Sequence, residues 1–264
     1  KMKCYAGNIL NQSNMRKICI LTTSRADYGL LKHLIRQVHY DKDLTLQLVA
    51  TGAHFSPEFG STYKEIEEDD FTITKKVDIF PESDTPEDLL RALGKGFTQL
   101  ADVLTELHPD IFVLLGDRYE LLPPAISALI HRIPIAHIHG GEESQGAFDN
   151  SIRHAVTKMA SIHFPATEIY AKRIIQMGEK PENVFPFGAP GLDELHITKL
   201  LSNKALAEEL SFTLDKNTAL STFHPVTLEE GSSLEYVQNL LSAVHKAGIR
   251  VLFTAANSDT QGRE

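Results

Sequence analysis

At 264 residues, with 42% apolar side chains, the chain can bury one large domain or two ordinary ones. A net charge of −9 and a pI near 5.7 argue against a nucleic-acid or anionic-membrane surface, so neither partner is expected. Two cysteines, Cys4 and Cys19, make no disulfide framework and fit a reducing cytosol, and no apolar run reaches the ~18 residues of a membrane span, so a cytoplasmic protein is expected.

Residues 1–14 are polar and lack the apolar stretch of a secretion signal, so they are expected as an N-terminal extension outside the fold. A strand is predicted over 17–21, followed by the turn Thr22-Thr23-Ser24-Arg25-Ala26-Asp27-Tyr28. Leu30, Leu31, Leu34, Ile35 and Val38 then recur at helical spacing. A second strand over 44–50, a loop over 52–60, a short acidic helix over 63–68 and a strand within 71–79 follow. After a turn-rich link over 81–86, an apolar stripe from Leu89 to Leu107 marks a long amphipathic helix.

Two apolar runs, 111–115 and 133–138, read as buried parallel strands with a helix over 124–131 between them. Helices over 150–160, 168–177 and 192–201 are predicted, with strands over 162–165 and 183–187. Strands alternating with helices imply a doubly wound parallel sheet, an α/β fold. Residues 15–201 are expected as a first Rossmann-like domain. Residues 202–264 offer a strand over 219–223, a helix through 234–244 and a strand over 250–254. One such unit cannot bury both faces of its sheet, so it reads as the beginning of a second domain.

The candidate chemistry sits at strand ends, where open α/β sheets bind ligands. Arg25 opens a helix after the first strand, a place for a phosphate; the competing reading is that Ser24 or Asp27 simply caps that helix. No GxGxxG accompanies it, so a dinucleotide fingerprint is unsupported. Gly116-Asp117-Arg118 follows the first central strand and is either a catalytic carboxylate or a turn with a local ion pair. His137 and His139 are two apart, with Glu142 nearby, but a third ligand at diagnostic spacing is missing. No metal is expected, and His137 reads as packed at a strand edge. Gly140-Gly141 marks a close backbone approach to a ligand or a tight turn. Asp149 and Arg153 are four apart on one helix face and can pair, and His154 beside them reads as a satisfied, half-buried histidine. His224 follows the first strand of the last unit.

With these residues placed, the chain resembles the hydrolysing UDP-N-acetylglucosamine 2-epimerases of sialic-acid biosynthesis, bacterial and animal. The likeness begins at MRKICILTTSRADYGLL and runs through LLGDRYE, HIHGGE, DNSIRHAVTKM, GEKPENVF and FHPVTL to TAANSDTQG. The resemblance implies a glycosyltransferase-B fold, two Rossmann-like domains with a UDP-sugar in the cleft. It implies that Arg25 contacts the diphosphate and that Asp117 and Asp149 are acid/base carboxylates. Arg153 would hold Asp149 ionised and oriented, His224 would stand at the phosphates or leaving group, and Asn257 near the nucleotide. Where some relatives carry a catalytic Glu this chain has His139, and the role is assigned to Glu142 with His139 as the alternative.

The reaction implied is elimination followed by hydration. A base takes the C2 proton as UDP leaves C1; water then adds at C1 and a proton returns to C2 from the opposite face. The products are N-acetylmannosamine and UDP, and no cofactor is required. A UDP-2,4-diacetamido-2,4,6-trideoxyhexose is the alternative substrate, for legionaminic-type sugars, and an inactive nucleotide-binding remnant is the non-enzymatic alternative. The family also implies a homodimer or dimer of dimers, with the long 89–107 helix as the surface.

Overall fold

The computed structural model describes residues 15–83, 85–144, 148–223 and 233–254. Strand β1 (Arg16–Thr22) leads into helix α1 (Arg25–Tyr40), β2 (Leu44–Thr51), α2 (Tyr63–Glu68) and β3 (Ile73–Val77). The long α3 (Pro86–Leu107) follows, then β4 (Ile111–Leu115), α4 (Leu122–His131) and β5 (Ile135–Ile138). Next come α5 (Asp149–Met159), β6 (Ile162–Phe164), α6 (Glu168–Gln176) and α7 (Gly191–Ile197). The remainder holds α8 (Asn203–Glu209), β7 (Thr218–Ser221), α9 (Ser233–Ala247) and β8 (Arg250–Phe253).

Strands β1 to β6 form one parallel sheet in the order β3-β2-β1-β4-β5-β6. Its direction of winding reverses between β1 and β4, and a crevice opens at such a point beyond the strands' carboxyl ends. Alternation along the strands feeds both faces of the sheet. Cys19 and Leu21 of β1 join one core with Leu100, Leu104, Phe112 and Val156, whereas Ile18 and Ile20 join the other with Leu31, Ile35, Leu48 and Ile66. Burial on both faces explains why the central strands read as unbroken apolar runs.

Helix starts follow local chemistry. Ser24 Oγ accepts from the Asp27 N–H at 3.4 Å, and Thr85 does the same for Asp88, with Pro86 occupying the first helical position, where its missing N–H costs nothing. Two expectations are corrected. The strand expected over 183–187 is a 3-10 turn, Pro181–Asn183, followed by a single parallel bridge between Val184 and His163. Pro186 has no N–H to extend a ladder. Helix α8 was not expected; Ser202 caps it, accepting from the Ala205 N–H at 3.2 Å, ahead of good helix formers.

Strands β7 and β8 pair in parallel in a separate two-stranded sheet, with α9 between them in sequence. Leu220, Phe253 and Leu241 of this unit are exposed. Among the described residues no helix is long and apolar enough to cross a membrane.

Candidate active site

The turn after β4 is built around Gly116, whose φ of +87° suits glycine. Its N–H donates to the Ile138 carbonyl at 3.0 Å, and its own carbonyl accepts from His137 Nε2 at 2.8 Å. A carbonyl can only accept, so Nε2 carries the proton; Nδ1 lies 3.1 Å from Thr157 Oγ1. Burial pushes the His137 imidazole down to about 4, leaving it neutral at pH 7. His137 is therefore an interior clamp on the residue before Asp117. It is packed, as expected, and lies inside the sheet, because β5 has β4 and β6 on either side.

Asp117 accepts from Arg153 Nη2, a short contact between the β4 turn and the second turn of α5. The same Nη2 lies 3.2 Å from Ser144 Oγ. Arg153 is buried with its Nη2 on Asp117, and among the described residues its Nε and Nη1 have no hydrogen-bond acceptor. Spacing alone points to Asp149 as the partner; the tertiary fold adds Asp117, 36 residues away in sequence. Asp149 is the first residue of α5, where the helix end favours a carboxylate. Asn150 ties the helix start to the preceding loop by two bonds to Ser144, at 2.7 and 2.9 Å.

Beyond β5, His139 and Glu142 form a pair, Nδ1 to Oε1 at 2.5 Å, so the two alternatives for one acid/base role stand in contact. His139 has φ +62° and lies past the strand, so strand alternation does not set its direction. The close approaches at the two glycines are to the protein itself. A Cβ on Gly140 would lie 2.9 Å from His137 Nδ1, and one on Gly141 2.7 Å from the Tyr170 carbonyl. Among the described residues no group of three His, Cys, Asp or Glu could hold a metal ion.

At the β1 end Ser24 caps α1, and the Arg25 guanidinium is mostly exposed and paired with Glu65 at 2.9 Å. Asp27 is buried and accepts from the Thr23 hydroxyl; burial raises its pKa, opposed by the nearby Arg118 guanidinium. Glu120, fully buried, accepts from Arg118 Nε at 3.3 and 3.2 Å and from Nη2 at 3.0 Å. Such a pair is tolerable inside only when its hydrogen bonds are made. Sequence reasoning offers a local ion pair within Gly116-Asp117-Arg118 as the bland alternative, but it misses Glu120, the depth of this pair and its link to Asp27. Glu120 stands in the 3-10 turn Tyr119–Leu121 that leads into α4, and Tyr119 and Leu121 on either side of it are core residues, which is the available signal.

Residues 36–264 match the family described as UDP-N-acetylglucosamine 2-epimerase. The chain belongs to this family. Among its relatives is a GDP/UDP-N,N'-diacetylbacillosamine 2-epimerase (hydrolyzing) from Campylobacter jejuni, 42% identical over 94% of this chain and 64% of the relative. A UDP-N,N'-diacetylbacillosamine 2-epimerase (hydrolyzing) from Legionella pneumophila is 36% identical over 94% of this chain and 66% of its own length. The chain thus spans just under two thirds of these relatives. The crystal structure of a Neisseria meningitidis UDP-GlcNAc 2-epimerase bound to UDP-GlcNAc superposes with a TM-score of 0.77 at 16% identity, over 92% of this chain and 66% of that one. The fold of this epimerase-family chain is accordingly of the glycosyltransferase-B, Rossmann-like type. Two expected site residues, His224 and Asn257, lie outside the described residues. His154 is half-buried as expected, but among the described residues its Nδ1 has no hydrogen-bond partner, and burial lowers its pKa.

Proposed function

We propose that this chain carries the acid/base chemistry of a hydrolysing 2-epimerase acting on a UDP-linked 2-acetamido sugar. The observation that supports this best is the Asp117–Arg153 pair, which joins the β4 turn to the helix opened by Asp149 at the crevice beside β1. Two carboxylates on opposite sides of one sugar ring suit a reaction that removes a proton from one face of C2 and returns it to the other. In the first half-reaction a carboxylate takes the C2 proton, the C1–O bond breaks and UDP leaves, giving a 2-acetamidoglucal. In the second, water adds its hydroxyl to C1 while C2 is reprotonated from the opposite face. Asp117 and Asp149 take these two roles, and the Glu142–His139 pair relays protons beside them. Arg25, released from Glu65, meets the diphosphate; His224, Arg153 and Asn257 keep the roles the family resemblance gives them.

On the substrate, the 42% and 36% identical relatives favour UDP-2,4-diacetamido-2,4,6-trideoxyglucose over UDP-N-acetylglucosamine. Residues 15–201 form the acid/base domain and 202–264 part of the nucleotide domain. Two chains pair through α3, whose Leu90 and Phe97 are exposed and seven residues apart.

The test is incubation of each UDP-sugar in D2O with the chain and whatever residues its reading frame adds downstream. UDP release with one deuterium at C2 of the liberated sugar is expected, faster for the diacetamido substrate. Asp117→Asn should slow it by roughly 10²–10⁴. Release of UDP without C2 deuterium, or an unimpaired Asp117→Asn variant, would refute the scheme.

A further inference from the structure

A hollow of about 470 Å³ opens past the carboxyl ends of β2 and β3, against α3. That volume lies in the range of small-ligand sites. We infer that this hollow receives the C4 and C6 end of the sugar, with the C4 acetamido group and C6 methyl of a trideoxy sugar seated on its apolar walls. The inference rests on the UDP-sugar reading above and assigns a specificity subsite to it.

Position comes first. Gly52 lines the hollow, and a Cβ there would lie 2.6 Å from the Thr23 carbonyl and 3.4 Å from Glu120 Oε1. Those two residues belong to the turns after β1 and β4, where Arg25 and Asp117 stand. Strands in a sheet are about 4.8 Å apart, so the ends of β2 and β4, two strands apart, are separated by roughly 10 Å. A pyranose with C1 and C2 beside Asp117 directs its C4–C5–C6 edge away from the reacting carbons, across that interval.

Chemistry comes next. Phe55, Val77, Phe80 and Pro81 give apolar wall. Ser56 and Gln99 add hydrogen-bonding groups. Gln99 Oε1 accepts from the Asp78 N–H at 2.9 Å, leaving its NH2 to donate elsewhere. Glu58, Asp78 and Glu82 outnumber Lys76, whose ammonium sits 5.1 Å from the Phe55 ring centre and 4.6 Å from that of Tyr63, and Lys95, which stands 3.8 Å from Asp78. An acidic lining repels a diphosphate and leaves the neutral end of the substrate as the part that fits. A C6 hydroxyl would lose water against phenylalanine and proline without replacement, whereas a C6 methyl would not, and the C4 acetamido group takes its hydrogen bonds from Ser56 and Gln99.

The experiment is ligand titration of the 264-residue chain, followed by saturation-transfer NMR. The probes are UDP and the methyl α-glycosides of 2,4-diacetamido-2,4,6-trideoxyglucose and of N-acetylglucosamine. The trideoxy glycoside is expected to bind at least about tenfold tighter than the N-acetylglucosamine glycoside, with saturation strongest at its C6 methyl. Phe80→Ser should erase most of that preference while UDP binding stays as in the parent. Gln99→Leu, checked by circular dichroism for folding, should weaken the trideoxy glycoside several-fold. Equal binding of the two glycosides, or a preference that survives both substitutions, overturns the inference. Glycoside preference without UDP binding supports the subsite and counts against the UDP-sugar reading; UDP binding without glycoside preference overturns the subsite alone.

Discussion

At the scale of single residues, two interior histidines set a pH limit. His137 and His54 are fully buried, each with both ring nitrogens within hydrogen-bond reach of the protein, and burial pushes each down to about 4. The ordinary value of histidine is near 6.5, so between 6.5 and 4 the unfolded chain binds protons that the folded chain refuses. The stability of the neutral, clamped imidazoles is therefore complete above pH 6.5 and is lost as pH falls toward 4. By pH 5 the loss is about 2 kcal/mol for each histidine. Urea unfolding at pH 7.5 and 5.0 should show this loss, and neither imidazole should titrate above pH 5 by NMR. A His137 ring titrating near 6.5 would mean that the clamp on Gly116 is loose.

At the scale of elements, the turn between β5 and α5 depends on its glycines. A methyl at Gly141 would meet the Tyr170 carbonyl of α6, and the residue holds φ +75°. Gly141→Ala should cost about 1–3 kcal/mol by thermal unfolding, with the loss spread over α6. The sheet was largely legible because strands buried on both faces leave continuous apolar runs, as in Ile111–Leu115, whose bounds match the prediction. The tract over 183–187 misled because Val184, Phe185 and Phe187 look like a strand until Pro186 is weighed. Candidate residues were legible as types at strand ends, but partners were not. Arg153 pairs with Asp117, 36 residues away, rather than only along its own helix. Glu120 is sealed in by Gly52 and Thr23, which only the sheet order brings near.

At the scale of the whole molecule, burial is uneven. The six-stranded sheet has a core on each side, while Leu90, Phe97, Leu129 and Ile130 on the neighbouring α3 and α4 remain exposed. If two chains pair there, Leu90→Glu with Ile130→Glu should turn a dimer into a monomer by light scattering and leave the unfolding midpoint of the monomer nearly unchanged. A monomeric parent would exclude the pairing.

The seam between β1 and β4 has a temporal side. Lys17 N–H donates to Asp110 Oδ2 at 2.8 Å across 93 residues of sequence, and Ile18 registers with Ile111. Contacts that close so long a loop form late and slowly. While the chain is being made, β1, β2 and β3 emerge with the inner edge of β1 unclaimed, an invitation to other strands. Protection of the Cys19 and Leu21 amides, which face β4 as that of Lys17 does, should therefore arrive only after the ribosome has released residue 115, and chaperone capture should fall at that same moment.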